Sequence, residues 1–455
     1  MRLGVVILAA GQGTRMKSDL PKVLHRLAGR SLLGHVIELA RGLQPAEIVV
    51  VYGHGGEQVR SAFADQPDLR WAEQAQQLGT GHAVQQALPQ LQSAEQLLIL
   101  YGDVPLTRVE TLRELIEATR AGFGLLTVDL ADPTGYGRIV RNEGGRVQCI
   151  VEQKDADPEQ RAIREVNTGI MCLPREAAQR WLGSLSNDNA QGEYYLTDVL
   201  AMAVADGFDI QVRQPGDAVE AEGVNNRLQL ATLERAWQRR AAESLMLDGL
   251  SLRDPARFDL RGSLEHGRDC EIDINVVIEG RVRLGNRVRV GANCTLRDVS
   301  VGDDVEILEN CVLEGAAIGP DSRIGPFARL RPGAELTGAA HVGNFVEIKK
   351  SLIGQGSKVN HLSYVGDSEI GAGVNVGAGT ITCNYDGANK HKTVIQDGAF
   401  IGSNTALVAP VTVGAGATIG AGSVITRAAP DDKLTLTRAK QVSIDWKRPS
   451  KKKDG

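Results

Sequence analysis

Three stretches of the chain carry side chains able to do chemistry. The first leaves an apolar run as Leu8–Ala9–Ala10–Gly11–Gln12–Gly13–Thr14–Arg15–Met16 and continues to Pro21–Lys22. Two glycines after a strand let the backbone approach a phosphate or a base and aim N–H groups at it. Met16 stands where a dinucleotide-binding turn has its third glycine, and no Gly-Lys-Ser/Thr follows as in a P-loop. The second stretch, Tyr101–Gly102–Asp103, also ends an apolar run. A carboxylate there suits Mg²⁺, which takes few protein ligands and fills its shell with phosphate oxygens. The third is Asn360–His361–Leu362–Ser363–Tyr364. Acylation of an amine needs a base near neutral pKa, which is the usual work of histidine. Arg331, Lys349, Asn375, Asn384 and Tyr385 share that window. A zinc enzyme would need clustered histidines, and His341, His361 and His391 form no such pair.

The elements that must position these residues fall into two textures. Up to about Asn226, short apolar runs alternate with amphipathic stretches such as Leu32–Leu43 and Val109–Ala121. The runs are Val5–Ala10, Ile48–Tyr52, Leu97–Tyr101, Leu125–Leu130 and Val147–Val151. Such alternation predicts a mostly parallel sheet covered on both faces, with ligands at the C-terminal strand ends. Arg2 and the apolar run after it have the look of a short signal peptide, but no small-residue cleavage pattern follows, and a buried first strand accounts for them better. The stretch 226–248 contains no Gly or Pro and reads as one long helix, stopped at Gly249.

From Ile272 onward, an aliphatic residue recurs every six positions, as in Ile318, Ile324, Leu330, Leu336, Val342 and Ile348. Glycine often follows it. This hexapeptide period is the signature of a parallel β-helix with aliphatic residues inside and, by expectation, small residues easing tight corners. It explains 52 glycines and only 4% aromatic residues in 455. The period breaks between Val376 and Ile395, where the polar segment 380–394 should be a loop thrown out from the coil.

The spacing Leu-x-x-Gly-x-Gly-Thr-Arg-x(5)-Pro-Lys resembles the signature of the sugar-phosphate nucleotidyltransferases. Gln74, the run Gln77 to His82, Tyr101–Gly102–Asp103, Gly135–Tyr136–Gly137–Arg138, Glu152, Asn167–Thr168–Gly169 and Gly223–Val224–Asn225–Asn226 extend the likeness. Nearly the whole chain resembles the bacterial bifunctional N-acetylglucosamine-1-phosphate uridylyltransferases and glucosamine-1-phosphate N-acetyltransferases. The resemblance implies an α/β chain of three parts. These are a Rossmann-like nucleotidyltransferase domain at 1–226, a linker helix at 227–249, and an acetyltransferase domain at 250–455 built as a left-handed parallel β-helix.

It also implies roles. Leu8, Ala9, Ala10, Gly11, Gln74, Gly79 and Thr80 would hold the uridine part of UTP, with Tyr101, Gly102 and Asp103 in the same site. Arg15 and Lys22 would neutralise phosphates, and Asp103 with Asn225 would bind Mg²⁺. Gly137, Glu152 and Asn167 would hold the N-acetylglucosamine moiety, and His82 would be structural. In the second domain His361 would be the catalytic base. Arg331, Lys349, Tyr364 and Asn375 would bind glucosamine 1-phosphate. Ala378, Asn384, Tyr385, Ser403, Ala421 and Arg438 would contact acetyl-CoA. The product, UDP-N-acetylglucosamine, would feed peptidoglycan and lipopolysaccharide precursors, and the assembly would be a homotrimer with sites between chains.

Composition fits this reading. The 51 Lys+Arg against 56 Asp+Glu give a net charge of −5, with no sign of general nucleic-acid affinity. No run of eighteen apolar residues exists to span a membrane. Six scattered cysteines without a CxxC pair argue against a disulfide framework and suit the cytoplasm. The basic end, WKRPSKKKDG, reads as a solvated tail.

Overall fold

The computed structural model describes residues 2–53, 55–120 and 122–449. Two compact units appear, residues 1–238 and 239–455. The tail lysines Lys451, Lys452 and Lys453, and Ala121 at the end of one expected helix, lie outside the described residues.

The first unit is built on nine strands: β1 (Leu3–Leu8), β2 (Glu47–Tyr52), β3 (Leu69–Glu73), β4 (Gln96–Tyr101), β5 (Phe123–Asp129), β6 (Arg138–Arg141), β7 (Val147–Val151), β8 (Glu165–Pro174) and β9 (Ile210–Arg213). The main path runs β9-β5-β8-β4-β1-β2-β3. β1 pairs in parallel with both β2 and β4. β8 is antiparallel to its neighbours, and Val147–Val151 forms an antiparallel hairpin with β6 off the main path. The sheet is therefore mostly parallel, with a reversed strand that the apolar pattern does not distinguish.

The continuous apolar runs are explained by two buried faces. Val6 and Leu8 of β1 enter one core layer with Val84 and Leu200, while Val5 and Ile7 enter the other with Ile37 and Leu115. Helices α1 (Leu32–Gly42), α2 (Thr80–Ala87), α3 (Val109–Thr119), α4 (Arg175–Gly183) and α5 (Asp198–Ala205) supply those partners. The expected strand Val5–Ala10 stops at Leu8; the Ala9 N–H makes the last bond to the neighbouring strand, to the Val51 carbonyl at 2.8 Å, before the glycine-rich loop begins.

Helix α6 (Arg227–Leu247) fills the stretch expected to be one long helix, and Gly249 follows it with φ +106°. Its first half belongs to the first unit. Leu233 is buried with Met16, Leu27, Leu32, Leu106 and Val224, and Leu230 and Trp237 pack against them. Met16, the residue that breaks the dinucleotide fingerprint, is thus an apolar anchor for its loop.

In the second unit every residue of the six-fold period faces inward; Ile278, Leu296, Ile324, Ile348, Ile353 and Ile401 are fully buried. Coils stack in parallel register, with Ile278 on Leu296, Val301 on Ile318 and Ile353 on Ile370. Eleven strands form one stack and seventeen the rest of the coil.

Two expectations change. Most glycines that follow the aliphatic do not make the corners. The left-handed backbone falls instead on Asp and Asn, as at Asn275, Asn293, Asp298, Asp304 and Asn310, and on glycines at other positions, such as Gly356, Gly373, Gly398 and Gly416. The glycines permit close stacking: a Cβ at Gly377 would come within 2.5 Å of the Ile401 carbonyl of the next coil. The extruded loop is also shorter than 380–394. Ile381–Cys383 is a coil strand paired with residues 406–408, and Thr382 fills the aliphatic slot at 2% exposure. Its hydroxyl satisfies itself against Gly366, accepting from N–H at 2.8 Å, which is how a polar residue occupies an apolar row.

A fragment ending at Ala241 keeps the Leu233–Trp237 contacts and should fold. A fragment ending at Asn226 strips cover from Met16 and Val224 and should melt lower by calorimetry. Equal melting of the two would show that α6 contributes nothing to this unit.

Candidate functional site

Parallel pairing brings the C-terminal ends of β1 and β4 side by side, with Leu8 opposite Tyr101. The loops that leave them wall a cavity of about 220 Å³. Its lining includes Leu8, Ala9, Ala10, Gly11, Lys22, Gln74, Gly79, Thr80, Tyr101 and Asp103, ten of the residues expected there. Gly102 makes the turn between two of them, its N–H donating to the Leu8 carbonyl at 2.9 Å.

The glycines do different things. A Cβ at Gly11 would meet nothing within 4 Å, so its absence opens the cavity rather than relieving packing. Gly13 has φ +63°, and a Cβ there would fall 2.6 Å from the Lys22 Cβ; bare backbone lets Lys22 lie against the loop.

At the cavity's edge the charged groups converge. Lys22 Nζ is ion-paired to Asp103 and reaches Asn225 Oδ1 at 3.4 Å. Arg15 donates to the same Asn225 oxygen at 2.8 Å. The Val224 N–H donates to the Asp103 carbonyl at 2.9 Å, fixing the 223–226 turn beside the carboxylate. One carboxylate oxygen and one amide oxygen thus face a common point. That donor set fits Mg²⁺, which would complete its shell with phosphate and water. No group of three or more His, Cys, Asp or Glu side chains able to hold a metal occurs among the described residues.

Gly137, Glu152 and Asn167 form a second group. The Asn167 N–H donates to the Gly137 carbonyl at 2.8 Å, and the Thr197 hydroxyl donates to Glu152 Oε1 at 3.2 Å. Burial, aided by Asp155, Asp198 and Glu193, raises the Glu152 pKa, while the Thr197 bond works against it. Tyr101 connects the two groups. Burial first, then the charges of Glu152 and Asp103, raise its pKa, so its phenol stays protonated. His82 bonds Gln74 at 3.0 Å and Gln86 at 3.2 Å, which holds the Gln74 side chain in place.

The cavity also contains residues to which sequence reasoning gave no role. Gln77 donates to the Ala10 carbonyl at 2.6 Å, and Glu193 lines the wall. Gln77 stood inside a recognised motif and was legible. Glu193 sits in a segment without periodicity, brought in by the bond from Gly81 N–H to the Tyr194 carbonyl.

In the β-helix, stacking turns distant residues into a row. Each next-coil N–H reports the register: Leu362 donates to the Asn344 carbonyl, Gly379 to His361, Asn404 to Ala378, and Gly422 to Ser403. Asn344, His361, Ala378, Ser403 and Ala421 therefore follow one corner, and Arg438 comes near Gly420 at its end. His361 is exposed, and its Nδ1 lies 2.8 Å from Asn344 Oδ1. On the face beyond that corner, Lys349 pairs with Gly366 and Glu347 with Tyr364, and Arg331 bonds Glu347 at 2.8 Å. Asn384 bonds Asp367 beside them, and Tyr385 begins the exposed loop. Asn375 stands apart from Lys349 and Tyr364, in the Lys358–Asn375–Phe400 row of the adjoining face. The loop adds a residue missed from sequence. It brings Lys390 against Lys349, and the side-chain contact with Lys349, then its like charge, lowers the Lys390 pKa.

A MobA-like NTP transferase model matches residues 5–149, and a bacterial transferase hexapeptide model matches 265–298 and 392–427. The chain is 59% identical to the bifunctional protein GlmU of Methylococcus capsulatus, over 99% of this chain and 98% of that protein. It is 60% identical to that of Stutzerimonas stutzeri over 99% and 100%, and 56% identical to that of Acinetobacter baumannii over the full length of both. The chain belongs to the GlmU family. As a GlmU-family protein it is a bifunctional transferase, joining a uridylyltransferase to a hexapeptide-repeat acetyltransferase. No helix among the described residues is long and apolar enough to cross a membrane.

The raised Glu152 pKa gives a test with a defined sign. A carboxyl whose folded pKa lies above the unfolded value favours the fold at low pH and loses that advantage as pH rises through the folded value. The ionised group is therefore a cost near neutrality. Glu152→Gln should melt higher than the parent at pH 7.5, and the gap should close below about pH 4. A gap that is constant with pH would contradict the assigned burial.

Proposed function

We propose that the first unit transfers a uridylyl group from UTP to N-acetylglucosamine 1-phosphate, using the cavity residues named above. The observation that carries this reading is the convergence of Arg15, Lys22, Asp103 and Asn225 at the cavity's edge. The sugar phosphate oxygen attacks the α-phosphorus of UTP, and the bond to the β-phosphate oxygen breaks, releasing pyrophosphate. Arg15 and Lys22 offset the charge that builds on the departing phosphates. Mg²⁺, held by Asp103 and Asn225, supplies further charge neutralisation when bound. Little proton transfer is needed, so positioning and electrostatics set the rate. Gly137, Glu152 and Asn167 hold the sugar.

The second unit acetylates glucosamine 1-phosphate. A histidine whose Nδ1–H donates to Asn344 Oδ1 keeps its lone pair on Nε2, the form required of a base. The substrate amine attacks the thioester carbonyl, His361 takes the amine proton, and the coenzyme A thiolate leaves and is reprotonated. Arg331, Lys349, Lys390 and Tyr364 bind the phosphate. The small side chains of Ala378, Ser403 and Ala421 leave a smooth corner for acetyl-CoA, with Asn384, Tyr385 and Arg438 at its margins. Asn375 completes the sugar site from the adjoining face, which suits a site shared between copies in a homotrimer. The enzyme works in the cytoplasm and supplies UDP-N-acetylglucosamine for peptidoglycan and lipopolysaccharide precursors.

Two substitutions should separate the activities. Asp103→Asn should abolish most uridylyl transfer and spare acetyl transfer. His361→Ala should cut acetyl transfer at least about a hundredfold, within the usual range for losing a general base, and spare uridylyl transfer. Loss of both activities in either folded variant would overturn its assignment. For assembly, light scattering should report about three times the 48.7 kDa chain mass. A monomer that acetylates at full rate would exclude a shared site.

A further inference from the structure

The same four residues at the cavity's edge carry a consequence for the order in which ligands enter. Lys22 Nζ touches both oxygens assigned to Mg²⁺, the carboxylate of Asp103 through an ion pair and the amide oxygen of Asn225 at 3.4 Å. The pair is sheltered, with side chains only 13% and 17% exposed, so solvent screens it less than a surface ion pair. Arg15 holds the same Asn225 oxygen at 2.8 Å but is not bonded to Asp103. Lys22 is itself kept in place by bare backbone at Gly13 and by the turn that starts at Pro21. A divalent cation and this ammonium cannot share one pair of oxygens: like charges at that separation repel, and both need the same lone pairs.

We propose that Lys22 is a resident placeholder cation that closes the metal position until a triphosphate draws it away. This rests on the assignment of Asp103 and Asn225 as metal ligands. In the unliganded site the ammonium satisfies the sheltered carboxylate and keeps the loop at 14–24 docked. A bare divalent cation must displace it and leave it unpaired. A nucleotide triphosphate offers Lys22 other oxygens, frees Asp103 and Asn225, and brings ligands of its own for the metal. Metal and nucleotide therefore bind with positive coupling, and Lys22 is the element they share. The arrangement keeps a charged, half-assembled site from holding metal without substrate.

Binding of Mn²⁺ to the full-length protein without nucleotide, read from the free-ion electron paramagnetic resonance signal, tests this apart from activity. Lys22→Gln and Lys22→Met should each tighten Mn²⁺ binding by at least about tenfold, a modest coupling. Lys22→Arg, which keeps a cation, should tighten it far less. Arg15→Gln, which removes a nearby charge but not the contact with Asp103, should also tighten it less than Lys22→Gln. Equal tightening by Arg15→Gln would show a diffuse charge effect and overturn the placeholder. If Asp103→Asn abolishes Mn²⁺ binding while both neutral Lys22 variants bind as the parent does, the metal assignment stands and the placeholder falls. If Asp103→Asn binds Mn²⁺ as the parent does, the metal assignment fails and the placeholder with it.

Discussion

Parallel strand pairing is the constraint on which both halves of this chain depend. Parallel strands end at the same edge, so the loops after β1 and β4 open side by side and place Ala9–Gly11 next to Gly102–Asp103. In the second unit the same pairing closes into coils. A given corner position then recurs one coil later, so Asn344, His361, Ala378 and Ser403 line up although they are far apart in sequence. One bonding pattern yields a cavity in the first case and a ladder in the second.

What the backbone places, apolar anchors hold. Met16 and Val224 are buried in one cluster beneath α6, and each belongs to a turn that carries a charged or polar group of the site. Arg15, Lys22, Asp103 and Asn225 can therefore stay close despite like charges among them. Both cations contact the Asn225 oxygen and Lys22 also pairs with Asp103, so each has an oxygen partner although the group keeps a net positive charge. On the function proposed above, binding substrate exchanges one set of oxygen partners for another, rather than burying bare charge.

The β-helix solves a different problem. Its interior is narrow: Phe258 in the first coil is the one buried aromatic residue among the described residues of this unit, and the core is otherwise a stack of Ile, Leu and Val with Ala, Ser, Thr and Cys between. Most polar interior groups bond backbone carbonyls, of their own coil as Ser423 does to Gly420 or of the next as Ser357 does to Gly371 at 2.6 Å. Such a rigid strut leaves chemistry to its corners and to the loop after Cys383. That loop brings Lys390 beside Lys349, whose contact and like charge lower the Lys390 pKa.

The sequence by itself determined the two textures, the inward aliphatic row and the long helix, because each follows from a local period that burial enforces. It also determined the identity of the cavity residues, since Gly11, Lys22, Gln74 and Asp103 sit in motifs of fixed spacing. Other features needed the tertiary structure. The antiparallel β8 reads as any apolar strand, because direction leaves no mark on hydrophobicity. The glycines after each aliphatic look like corner residues until the distance to the next coil is known, and Asp, Asn and other glycines take the left-handed corners instead. Thr382 looks like loop until stacking puts it in the core. Glu193 and Lys390 carry no local pattern. The contacts of Lys22 with both Asp103 and Asn225 span 81 and 203 positions, a separation that only folding could bridge.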